Sequence, residues 1–128
     1  MGKPVKIFGS ATGSTTEANF GNLTVDGKAT TSTYYVVKKG FKLKIFDVVV
    51  SSEQATWFRI YVSPDAGTTW NSSEEIYLAS AGVVHVPYKM PWIIEAVDND
   101  YYVEPRYIQA TAGPARISIN AELCRLEE

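Results

Sequence analysis

The stretch Phe41-Lys-Leu-Lys-Ile-Phe-Asp-Val-Val-Val50 constrains the fold more than any other. Apolar residues alternate with lysines from Phe41 to Ile45, the period of a half-buried strand. The alternation then gives way to three consecutive valines, as it does where a strand enters the covered centre of a sheet. A five-residue polar link, Ser51–Ala55, leads to Thr56-Trp-Phe-Arg-Ile-Tyr-Val62, rich in aromatic and β-branched residues. The pattern predicts a long antiparallel hairpin at the centre of an all-β domain.

The rest of the chain agrees on class. No window carries an amphipathic 3.6-residue period of useful length. Strands are expected at Pro4–Phe8, Tyr34–Val37, Ile76–Ala79, Val83–Val86, Trp92–Val97 and Tyr101–Ala110. A further strand after the Ala112-Gly-Pro114 turn is the cleanest, with Ile117, Ile119, Ala121 and Leu123 on one face. Asn71–Glu75 reads as a polar loop. Pro87 and Pro91 bracket Tyr88–Met90 and suggest a crossing connection, while Pro105 points to an edge or bulge. Short strands punctuated by Gly, Pro and Asp turns mean a sandwich or barrel. The expectation is an antiparallel β-sandwich of jelly-roll type, one domain over residues 1–128.

Residues 9–33 differ in composition. Fourteen of the 25 are Gly, Ser or Thr, and the large apolar residues are only Phe20, Leu23 and Val25. So little apolar surface does not order a segment alone. Residues 1–33 therefore read as a first strand plus an extended arm, with 34–128 as the sandwich body. Asp26-Gly27 marks a type I′ turn inside the arm. Phe20, Leu23 and Val25 are its anchors on a neighbouring subunit, with Tyr34 and Tyr101, one from each tyrosine doublet, as further interface candidates. Deleting the arm is expected to leave a folded body that no longer assembles.

Composition removes several functions. The net charge of −2 gives no drive toward phosphate backbones, so no nucleic-acid partner is expected. Lys38, Lys39, Lys42 and Lys44 read as the solvated face of a strand. No apolar run approaches the ~20 residues of a membrane span. The opening Met-Gly-Lys-Pro-Val-Lys lacks the apolar core of a signal peptide, so the expected product is made in a cytoplasm and not exported by the general secretory route. Cys124, the single cysteine, allows no intrachain disulfide.

Chemistry-bearing groups are sparse. Glu95, Asp98, Asp100 and Glu104 crowd four carboxylates into ten residues, but without the spacing or glycine of a calcium loop; a solvated acidic turn is expected. His85 stands alone and reads as a partly buried structural residue. Glu74 and Glu75 would point to opposite faces of a strand and could not share a substrate. With no base–nucleophile pair, neither catalysis nor any cofactor or metal is expected.

Ser63-Pro-Asp-Ala-Gly-Thr-Thr-Trp70 resembles the Asp-box, S-x-D-x-G-x-T-W, at every fixed position. In sialidases and related propellers the motif is a hairpin turn away from the catalytic centre. The resemblance implies structural roles for Asp65 (accepting turn N–H groups), Gly67 (positive φ) and Trp70 (packing over the turn). The whole composite, a Ser/Thr/Gly-rich arm on a small all-β body without a catalytic set, is similar to the capsid decoration proteins of tailed viruses. That resemblance implies a non-enzymatic virion protein forming a symmetric oligomer, a trimer for preference, on a protein shell. The rival is a carbohydrate-binding module or lectin-like sandwich that uses the many exposed aromatics on a glycan.

Overall fold

A computed structural model describes residues 2–127, so the two ends of the expected 1–128 domain lie outside the described residues. Eleven strands run in chain order: β1 (Lys3–Ala11), β2 (Ala18–Asn19), β3 (Thr24–Val25), β4 (Lys28–Ala29), β5 (Tyr35–Val37), β6 (Phe41–Ser52), β7 (Thr56–Ser63), β8 (Asn71–Leu78), β9 (Gly82–Glu95), β10 (Tyr101–Gln109) and β11 (Ala115–Arg125). They form two antiparallel sheets. The first has the order β4-β3-β1-β11-β6-β9; the second is β2-β10-β7-β8, with β5 also beside β10.

Stripped of the short β2, β3 and β4, the layers are β1-β11-β6-β9 and β5-β10-β7-β8. The chain crosses between layers after β1, β5, β6, β8, β9 and β10, and this is the strand order of a jelly roll. The inward rows are apolar because each sheet hides one face on the other. Leu43, Ile45, Val48 and Val50 of β6 meet Phe58, Ile60 and Val62 of β7, with Ile117 and Ile119 of β11, all in one buried cluster.

The chain departs from the sequence reading at several points. The expected central hairpin does not form. β6 pairs with β11 and β9, while β7 pairs with β10 and β8 in the other sheet. Both strands have a largely apolar inner face, and burying both is achieved by facing them across the sandwich; the short link after Ser52 turns the chain between layers, fixed by the Glu53 N–H on the Pro114 carbonyl. Nor does β5 make a hairpin with β6; it lies along Tyr101–Val103 of β10.

Asn71–Glu75 is strand, not loop. β8 is an edge strand whose outer face meets solvent, so its polar composition is no obstacle. The expected break at Tyr88–Met90 is a bulge inside one long strand. Ile45 pairs with Trp92 and Asp47 with Pro87, leaving residues 88–91 unpaired opposite Phe46. Two prolines are tolerated there because β9 is the edge of its sheet. Pro105, by contrast, sits inside β10. It falls in the gap between β5, which ends opposite Val103, and β2, which begins opposite Arg106, where no strand residue pairs with it on that side.

The largest correction concerns the arm. The segment is extended, but it lies on its own body. β1 is an interior strand, paired along nine residues with β11 and on its other side with β3. Phe20 is 3% exposed and Leu23 fully buried. Phe20 stacks on Phe58 at 6.2 Å and leans on Tyr107 at 4.8 Å. Gly9 makes this possible, since a Cβ there would come within 2.8 Å of Phe20. Val25 packs at the margin of the same core, in the small hairpin whose turn has positive φ at both Asp26 and Gly27. Phe20 and Leu23 thus have no surface left to offer a neighbour.

Candidate functional site

The outer face of the second sheet gathers the aromatic and charged residues that most invite a functional reading. Adjacent strands place them in tiers. Tyr77 of β8 stands opposite Trp57 of β7, which stands opposite Ile108 of β10. Trp57 and Tyr77 stack with centroids 4.3 Å apart and both remain exposed. The next tier is Glu75, Arg59 and Arg106, and beyond it lie Tyr61 and Glu104.

Glu17, just before β2, reaches across this face. It accepts from Arg59 at 2.7 Å and from the Tyr61 hydroxyl at 2.9 Å, with Arg106 at 3.8 Å. Arg106 lies over the Tyr61 ring at 4.1 Å and donates to Glu104 at 2.6 Å. Glu104 also accepts from the Thr33 hydroxyl. Glu17 and Thr33 therefore fasten both ends of the residue 12–33 segment to the sheet.

Partial burial pushes the Glu17 carboxyl up, but the bonds from Arg59 and Tyr61 and the charges of Arg59 and Arg106 outweigh it. The net effect holds it below the ordinary 4.5. A carboxyl depressed in the folded state stabilises fully above its unfolded value and loses that contribution as pH falls through its folded one. Protection factors of residues 12–19 against hydrogen exchange are expected to fall on acidification through the folded-state titration of Glu17, with those of β6 and β11 amides unaffected. In Glu17→Gln this pH dependence should be absent; if it persists, another group controls the segment.

The Ser63–Trp70 turn closes the far end of the same face. Asp65 Oδ1 accepts from the Thr69 N–H at 2.7 Å and from the Ser63 hydroxyl at 2.9 Å, while Ser63 Oγ accepts from the Gly67 N–H at 2.7 Å. The Thr69 bonds, backbone first, hold the Asp65 carboxyl below its usual range. Ala66 and Gly67 both have positive φ, and a Cβ on Gly67 would come within 3.3 Å of the Tyr102 ring. Trp70 leans on Tyr34 and Tyr102, which stack on each other at 4.1 Å. All of these groups are spent on one another, so the turn is a scaffold. Gly67→Val should cost about 2 kcal/mol through backbone strain, and adding Asp65→Ala should lower the melting temperature further. A thermal melt unchanged by the pair would mean that the turn does not depend on these bonds.

Other candidates scatter. Tyr34 lies on the outer face, whereas Tyr101 packs against the core. The four carboxylates are not brought together: Asp100 accepts from the Lys39 N–H, Glu104 is buried in the network above, and Glu95 is exposed on β9. Among the described residues no group of three or more His, Cys, Asp or Glu could hold a metal ion. His85 is exposed rather than partly buried, because its position on β9 points to the outer face of the first sheet; its imidazole is 3.8 Å from Asp47. Glu74 and Glu75 do diverge, Glu74 accepting from Tyr88 and Glu75 facing Arg59. No helix among the described residues is long and apolar enough to cross a membrane. Comparison with protein-family models and with curated proteins finds no match to the chain.

Sequence reasoning missed Glu17 and the β9 edge. Glu17 carries no local signal, since its partners are more than forty residues away. The exposed side of β9 is hidden in sequence by its division into two apparent strands.

Proposed function

We propose that the protein is a non-enzymatic structural subunit that works by assembling through the β9 side of its sandwich. The observation behind this reading is the row of exposed apolar side chains there. Val83 is 68% exposed, Met90 82% and Ile93 46%, with exposed Val97 just beyond the strand. Val83 pairs with Ser51 and Ile93 with Lys44, so the row extends over about 23 Å. Single exposed apolar residues are ordinary, whereas several along one sheet edge favour a protein partner. Pro87 and the bulge at 88–91 interrupt the edge, which disfavours strand addition and favours packing of side chains against a partner's surface.

The finer form of the proposal keeps the resemblance to capsid decoration proteins: a closed homo-oligomer, preferably a trimer, seated on a protein shell of a virion. The jelly-roll strand order supports it, while the burial of Phe20 and Leu23 moves the proposed contact from the N-terminal segment to β9. Light scattering at micromolar concentration is expected to give a closed oligomer. Met90→Glu with Ile93→Glu should return the monomer mass without lowering the monomer's melting temperature, as neither side chain is buried. A wild-type monomer sinks the proposal.

A second reading, glycan binding, is favoured by the exposed Trp57–Tyr77 pair with Arg59 and Glu75 in the next tier, an apolar platform beside hydrogen-bonding groups. A glycan screen of the intact protein beside Trp57→Ala separates it from assembly.

A further inference from the structure

An open cleft of about 550 Å³ lies at one end of the sandwich, under the segment that follows β1. Phe20 and Tyr107, whose rings touch and are each only 3% exposed, close its base. Around the rim stand Ser10, Thr12, Asn19 and Arg116. Ser10 and Arg116 are cross-strand neighbours on β1 and β11. The volume is within the range of small-molecule sites.

The chemistry of the rim is one-sided. The Arg116 guanidinium has no carboxylate within ion-pair distance among the described residues, and Glu53, across a shallow neighbouring groove, makes no bond to it. Asn19 uses its carbonyl oxygen on the Gly21 N–H, and no bond among the described residues engages its amide nitrogen. Among the described residues no bond engages the hydroxyls of Ser10 and Thr12 either. This contrasts with the outer face of the second sheet, where arginines and glutamates satisfy one another. No acidic residue lines the cleft.

The walls are held in place. Gln109, 3% exposed, accepts from the Ser14 and Gly113 N–H groups and donates to the Gly113 carbonyl, while its own N–H meets the Ser14 carbonyl. One buried side chain thus ties the 12–16 and 110–114 loops together, so a ligand would meet a preformed site.

We infer that this cleft binds an acidic sugar residue. The carboxylate meets Arg116, whose planar fork suits a two-oxygen anion. The ring hydroxyls meet Asn19, Ser10 and Thr12. A bare inorganic anion would use Arg116 and leave the Asn19 amide and the two hydroxyls unmet. The site is separated from β9 by β6, and the inference does not depend on the assembly proposal.

The test is a titration of the full chain with glucuronate, glucose and inorganic phosphate, followed by ¹H–¹⁵N correlation spectra. Glucuronate is expected to shift the amides of Thr12, Asn19, Gly21 and Arg116, and glucose to bind at least about tenfold more weakly. Arg116→Gln should erase that difference without lowering the melting temperature, since the side chain is exposed and unpaired. Asn19→Ala should weaken both sugars. Equal affinity for glucose and glucuronate, displacement by equimolar phosphate, or shifts confined to Trp57 and Tyr77 would each overturn the assignment.

Discussion

A chain lacking residues 2–33 is expected to lose cooperative folding altogether, rather than to survive as a body without its arm. The deletion removes β1, exposes the whole edge of β11, and empties the core positions of Val5, Ile7, Phe20 and Leu23. A single substitution isolates one part of that effect. Phe20→Ala should cost about 3–5 kcal/mol, the ordinary range for an aromatic side chain removed from a packed core. Its contacts with Phe58 and Tyr107 cannot be remade, because Gly9 beneath it carries no side chain to fill the space. Circular dichroism melts decide the matter. A truncated chain that still melts cooperatively would return the segment to the role of an arm.

Gln109→Leu is expected to be the next most damaging change, at about 3 kcal/mol. The replacement has similar bulk, so packing is nearly conserved and the loss is in hydrogen bonding. The Gly113 N–H, buried, and the Ser14 N–H would lose their acceptor, and the Gly113 carbonyl its donor. Ser52 and Thr56, which also receive bonds from the Gln109 amide, retain their bond to each other. Denaturant titration gives the magnitude. Hydrogen exchange adds a signature that simple loss of packing lacks: faster exchange at Ser14 and Gly113 together. Wild-type protection at both amides in the variant would show that the loops are held by something else.

Much of the architecture was legible in the sequence because a half-buried strand leaves a local trace. The alternation in β6, β7 and β11 locates the strands and their buried faces, and the Asp26-Gly27 pair marks its turn. What pairs with what left no such trace. A short polar link suits a hairpin and a crossing between layers equally, so β6 and β7 looked like partners when they are opposite walls. Sparse apolar content made residues 9–33 look dispensable, yet two well-placed anchors suffice when Gly9 leaves room for one of them. The prolines of β9 read as a break because pattern alone does not reveal which strand is an edge. The cleft was illegible for a different reason. Ser10 meets Arg116 only where β1 closes on β11, and Asn19 comes to Tyr107 only where β2 pairs with β10.

That closing pair also sets the order in which the molecule can form. Lys3 lies opposite Leu123, and every β1–β11 contact joins residues about a hundred positions apart. Such contacts are entropically the most expensive to start and reward the chain only after the loop between them has organised. The seam between first and last strands is therefore the step on which folding waits. Until it is made, β11 presents an open edge along the middle of the first sheet, and the β1 backbone is free to be paired by another chain. The hazard of this fold is domain exchange through its own first strand.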